Sequence, residues 1–150
     1  MSENLSLETF LPYRCVTLAE RISTSLSRIY AEQFGVNVAE WRILSVLAEH
    51  DRLQARDVAL IIRMDKVKVS RAVASLVERK LLLRTASKED GRASDLRLSA
   101  SGRRLYGEIV PRALQWEKLL VQPLSAGEQE ALFKLLDKLD TRVAALETEP

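Results

Sequence analysis

Apolar residues recur at helical spacing along most of the chain, and the faces they make differ in kind. Leu11, Cys15, Leu18, Ile22, Leu26 and Ile29 return every three or four residues, so residues 5–34 are expected to form one long helix that Gly35 ends. That stripe is longer than a small lobe needs and suits another helix, which hints at a seam between subunits. Asn37, with Glu40 three residues on, resembles a capping box for a second helix, Val38–Glu49, carrying Trp41, Leu44, Leu47 and Ala48. After an exit turn at His50-Asp51-Arg52, a short third helix spans Ala55–Ile62. Only Arg63 and Met64 then precede Asp65, a good N-cap.

From Asp65 to Lys80 the pattern splits into two unlike faces. At 100° per residue Val69, Val73, Leu76 and Val77 share one side, and Val67, Lys68, Arg71, Ala74 and Ser75 share the other. The first face can pack on a core. The second is cationic, short-chained and free of acid until Glu78. Two short helices joined by so tight a turn, the second basic outside, are what a helix-turn-helix looks like in sequence, although alone an ordinary helical hairpin would read the same. The next segment tips the balance. Residues 82–87 and 94–98 read as two short strands around Lys88-Glu89-Asp90-Gly91-Arg92-Ala93, whose Asp-Gly is a hairpin signal. A hairpin directly after a helix-turn-helix makes a winged helix.

Ser99 caps another helix that runs through Arg103–Val121 with a kink expected at Pro111. Ser125-Ala126-Gly127-Glu128 is a capping box for a last helix to about Leu146, with Leu132, Leu135, Leu136 and Leu139 on one face. The fold class expected is mainly α with a small β-hairpin wing. A winged helix-turn-helix lobe occupies residues 36–99, and residues 5–34 and 100–147 make a helical dimerisation lobe.

Charge sharpens this picture. The net charge is only +2, but residues 51–104 carry 14 Lys/Arg against 7 Asp/Glu, while the segments on either side are mildly acidic. A basic centre coinciding with the two-faced helix is the footprint of a nucleic-acid-binding lobe. The single cysteine fits a reducing, cytoplasmic setting, and no apolar run approaches a membrane span. There is no phosphate-binding loop, no metal-ligand spacing and no nucleophile beside a base, so neither an enzyme nor a cofactor is expected. His50, the one histidine, reads as a helix-end residue.

The residues expected to meet double-stranded DNA are Lys66, Lys68, Ser70, Arg71 and Ser75 on the recognition helix, and Lys88, Asp90 and Arg92 on the wing. Arg71 suits bidentate reading of guanine, and Lys and Ser near the helix start suit phosphates. Arg92 on a narrow projection can enter a minor groove, with Asp90 bracing it or a neighbouring Arg. One such helix reads only a few base pairs, so a dimer is expected, its two helices about 34 Å apart.

Trp41-Arg42-Ile43-Leu44, the run Met64-Asp65-Lys66-Val67-Lys68-Val69-Ser70-Arg71, the wing Asp90-Gly91-Arg92 and Leu98-Ser99-Ala100-Ser101-Gly102 together resemble the MarR (multiple antibiotic resistance regulator) family over nearly the whole length. The resemblance implies a homodimer with interlocked terminal helices on a pseudo-palindromic operator, commonly a repressor released by a small phenolic or other anionic effector. Tyr13, Arg14, Trp41 and Trp116 are the candidate effector residues, with Arg14 suited to a carboxylate. One branch of the family senses hydroperoxides through a cysteine early in the first helix. Cys15 lies on the apolar stripe, however, and a buried, inert thiol is the expectation. A winged-helix protein-interaction module is the remaining alternative. Two positions depart from the family pattern: Arg63, and Lys80-Leu81 after the recognition helix, stand where glycine is common.

Overall fold

The computed structural model describes residues 4–89 and 91–149. Its elements run α1 (Leu11–Phe34), α2 (Val38–Glu49), β1 (Leu53–Gln54), α3 (Ala55–Ile62), α4 (Lys66–Glu78), β2 (Leu82–Ala86), β3 (Ser94–Leu98), α5 (Ala100–Val121) and α6 (Ala126–Thr148). They form two compact units, Met1–Ala113 and Leu114–Pro150.

In the first unit, α2, α3 and α4 pack on one another and on the sheet. Ile43, Leu44 and Leu47 of α2, Val58 of α3, and Val69, Val73 and Leu76 of α4 are buried together with Leu82, Leu96, Leu98 and Ile109. Each is an apolar position of its element's period, so burial of one stripe per helix holds this unit together. The expected hairpin is present, with Leu82 opposite Leu98 and Ala86 opposite Ser94. Along β3, Leu96 and Leu98 are buried and Arg97 between them is exposed, the alternation the sequence shows. The sheet gains a third strand that no period announced: β1 pairs with β3 through Leu53–Leu96 and Gln54–Asp95, giving the order β1-β3-β2.

α1 begins at Leu11, not near residue 5. Pro12 sits in its first turn, where its missing N–H costs nothing, and residues 7–9 form a turn ahead of it. Gly35 closes the helix at φ 61°. The capping boxes at Asn37/Glu40 and Ser125/Glu128 both form with reciprocal bonds. α5 is a single helix that contains Pro111.

The two departures from glycine are both left-handed, Arg63 at φ 51° and Lys80 at φ 60°. The turn geometry is therefore kept, and strain is tolerated. At the end of α4, the Leu81 N–H donates to Leu76 O (2.9 Å) and the Lys80 N–H to Val77 O (3.0 Å), the paired closing bonds of a left-handed helix end. Replacing Lys80 by Gly is expected to raise stability by about 0.5–1 kcal/mol, since relieving the left-handed strain outweighs the extra chain entropy of glycine. Equilibrium urea unfolding checks this, and a lowered midpoint would contradict it.

In the second unit α6 buries none of its residues: Leu132, Phe133, Leu135, Leu136, Leu139, Val143 and Leu146 are all exposed. The stripe on α1 is also open over its first half, at Leu11, Cys15 and Leu18. Cys15 is thus exposed, contrary to the buried thiol expected from its place on that stripe, because none of the described residues packs over it. Among the described residues no helix is long and apolar enough to cross a membrane.

Candidate nucleic-acid interface

α4 starts at a well-made cap. Asp65 Oδ1 accepts from the backbone N–H of Val67 (2.9 Å) and of Lys68 (3.2 Å), satisfying two of the helix's unpaired donors. Val69, Ala72, Val73 and Leu76 are buried beneath it. Lys66, Val67, Lys68, Ser70, Arg71 and Ala74 face outward and are exposed. Four of the five recognition-helix residues expected to meet DNA therefore share one open, cationic surface. The fifth, Ser75, is half-buried, and its hydroxyl donates to Glu40 Oε2 at 3.2 Å. That proton is committed inward.

Glu40 is the centre of a cluster that sequence reasoning assigned only to a helix cap. Its side chain is 5% exposed and lies 3.2 Å from Arg79 Nη1. Glu40 Oε1 also accepts the Asn37 N–H at 3.1 Å. Arg79, just past the end of α4, donates in addition to the carbonyls of Gly35 (3.0 Å) and Phe34 (3.2 Å). One guanidinium thus ties three places together: the carboxyl end of α1, the start of α2 and the end of α4. A cation on the last carbonyls of α1 also complements that helix's dipole. The residues stand 39 positions apart in sequence, so no local pattern announces them.

The wing rises from β2 and β3. Lys88 and Arg92 are exposed near its tip, and Asp90 lies outside the described residues. At its base Ser87 is buried, its N–H donating to Ala93 O (2.9 Å), and its Oγ accepts the Glu89 N–H at 3.3 Å. Arg52, on the turn before β1, reaches Asp95 of β3 at 3.6 Å. The wing strand is therefore tied to the helix-turn-helix by both β pairing and charge.

Within the first unit, Tyr13 and Arg14 share a cavity that Trp41 does not line. The cavity measures about 460 Å³ and is also lined by Cys15, Leu18 and Arg21. Arg14 Nη1 there donates to Glu8 O at 3.1 Å. The Trp41 ring stacks with Tyr30 (centroids 5.3 Å apart) and with Tyr106 (5.5 Å), so it is engaged by protein aromatics. Burial pushes the phenols of Tyr30 and Tyr106 above the ordinary tyrosine range; Arg42 opposes this at Tyr30, and Glu49 adds to it at Tyr106. The stack is therefore neutral at any physiological pH. Trp116 belongs to the second unit. Among the described residues no cluster of His, Cys, Asp and Glu is arranged to hold a metal ion.

A family profile described as the MarR family matches residues 34–93, the segment from α2 to the wing. A crystal structure of a MarR/EmrR family transcriptional regulator from Acinetobacter sp. ADP1 is 30% identical, with a TM-score of 0.84 over 94% of this chain and 99% of that one. The chain belongs to the MarR family. Other solved structures align at lower identity. The PcaV transcriptional regulator of Streptomyces coelicolor, in complex with its natural ligand, is 23% identical with a TM-score of 0.75, covering 93% of this chain and 98% of that chain. A mutant MarR from E. coli, complexed with operator DNA, is 18% identical with a TM-score of 0.77, covering 91% and 99%. No curated protein matched the chain. In MarR-family terms, α4 is the recognition helix, and α3 with α4 forms the helix-turn-helix beside the wing.

Proposed function

We propose that this MarR-family regulator is a sequence-specific DNA-binding repressor that acts as a homodimer on a pseudo-palindromic operator. The observation that carries this reading is the outer face of α4, where Lys66, Lys68, Ser70 and Arg71 are exposed together over the buried Val69, Ala72, Val73 and Leu76. Arg71 reads guanine in the major groove, Lys66, Lys68 and Ser70 hold phosphates, and Lys88 and Arg92 carry the wing to the flanking minor groove. The operator complex of E. coli MarR supports a DNA partner for this fold. Self-association has its own support: the apolar residues of α6, of the first half of α1, and Leu114, Leu119 and Leu120 of α5 are exposed in a single chain. The ligand complex of PcaV supports an effector, for which Tyr13, Arg14 and Arg21 offer a cavity suited to a small phenolic or carboxylate anion.

A fluorescence titration against the DNA around its own promoter at two salt concentrations tests this. Binding is expected to weaken steeply with salt, and no salt-dependent binding would favour a protein-interaction module instead. Arg71→Ala is expected to cost about 1–3 kcal/mol at one operator position, whereas Lys68→Ala should weaken all sequences alike and flatten the salt slope by about one. If Arg71→Ala and Arg92→Ala both leave operator affinity unchanged, the assignment of the interface fails.

The exposure of Cys15 supports a second reading, a thiol switch that loosens the operator on oxidation. Cys15 lines the same cavity as Arg14. Release of DNA by hydroperoxide from wild type but not from Cys15→Ser would establish it, and equal release from both would reject it.

A further inference from the structure

The most outward position of the recognition helix is apolar. At 100° per residue the buried Val69, Ala72, Val73 and Leu76 centre on one direction, and Val67, Arg71 and Ala74 lie opposite it. Val67 is 55% exposed, sits second in α4 and lies outside the buried core. A β-branched residue is a poor choice there for helix propensity alone. Exposed valines are ordinary elsewhere, but this one stands in the middle of a cationic surface, between exposed Lys66 and Lys68 and one turn from Arg71.

The surrounding charge commits the occupant of that surface to a polyanion. Of the groups DNA presents in its major groove, the thymine C5-methyl is the apolar one, and residues at the start of a recognition helix are those that reach base edges. We propose that Val67 packs against the methyl group of a thymine, and so acts beside Arg71 as a specificity-determining residue. This inference rests on the DNA-binding reading above. Val67 and Arg71 are four residues apart, about 6 Å along the helix. With about 3.4 Å between base steps, the thymine lies within about two base pairs of the guanine that Arg71 reads. Ala74, exposed on the same line, is small enough to let the helix approach the bases.

Duplexes enriched by the wild-type protein from a random pool provide the probe. Each thymine is then replaced in turn by uracil, which removes only the C5-methyl. One thymine per half-site is expected whose replacement weakens wild-type binding by about fourfold per half-site, the effect of one buried methyl-sized group. In Val67→Ala the loss at that position should vanish, while the preference for the neighbouring guanine and the salt dependence persist. Equal uracil sensitivity in Val67→Ala and wild type, or no sensitive thymine at all, overturns the assignment and leaves the DNA-binding reading standing. Failure to enrich any duplex, with the protein folded by circular dichroism, overturns that reading and this assignment with it.

Discussion

Gly102→Ala is expected to be the most damaging single methyl added to this chain. Gly102 is buried in the first turn of α5, and a Cβ built there overlaps the carbonyl oxygen of Leu81. The obstacle is backbone, so no side chain can swing away to make room. That backbone is also held from several directions. The Ser99 N–H donates to Leu81 O at 3.1 Å, the Ser99 hydroxyl donates to Lys80 O at 2.7 Å, and Ser99 Oγ accepts the Gly102 N–H at 2.9 Å. The added methyl must therefore push α5 off the left-handed turn at Lys80 and break these bonds together. A cost of about 3 kcal/mol or more follows, the upper range for overpacking against a fixed partner. Urea unfolding of Gly102→Ala measures it, with Gly107→Ala as control, since nothing lies within 4 Å of a Cβ at Gly107. Equal midpoints for the two variants would refute the account.

That joint illustrates what a single sequence can and cannot convey. Leu-Ser-x-x-Gly is visible as a run of letters after the wing, and Ser99 is recognisable as a cap because capping is local. What Gly102 avoids is Leu81, a residue from the far side of the hairpin, and no spacing rule points there. The same division runs through the interface. Asp65, the buried stripe of α4 and the strands of the wing follow from period and turn chemistry, and each lies where the pattern puts it. The two-residue β1 has no period to detect. Ser75 falls on the outward side of a helical wheel, yet a partner 35 residues earlier draws its hydroxyl inward. Trp41 is an aromatic on a helix in either role, and only the two tyrosines stacked with it decide between them. Cys15 lies on the apolar stripe that the period marks, yet it is exposed, because a helical period shows which face is apolar and not whether anything packs against it.

Arg79→Ala is expected to destabilise the fold by about 3 kcal/mol, the low end for stranding one partner of a buried ion pair, because the guanidinium itself is partly solvated. Glu40 would remain in the interior with only the Ser75 hydroxyl and the Asn37 N–H, and the carbonyls of Phe34 and Gly35 would lose their donor. The sign of the double variant separates this cause from simple loss of packing. In Glu40→Gln/Arg79→Ala no charge is left stranded, and the neutral amide can still accept from Asn37, so the pair is expected to be more stable than Arg79→Ala alone. A double variant less stable than the single one would show that the guanidinium acts by its bulk and not by its charge. DNA binding adds an independent readout. Arg79 ties the end of α4 to the end of α1 and does not belong to the outer face of α4. Folded Arg79→Ala should therefore bind the operator more weakly with an unchanged salt slope, whereas a lost phosphate contact would flatten that slope by about one. A flattened slope would move Arg79 from the scaffold to the DNA contacts themselves.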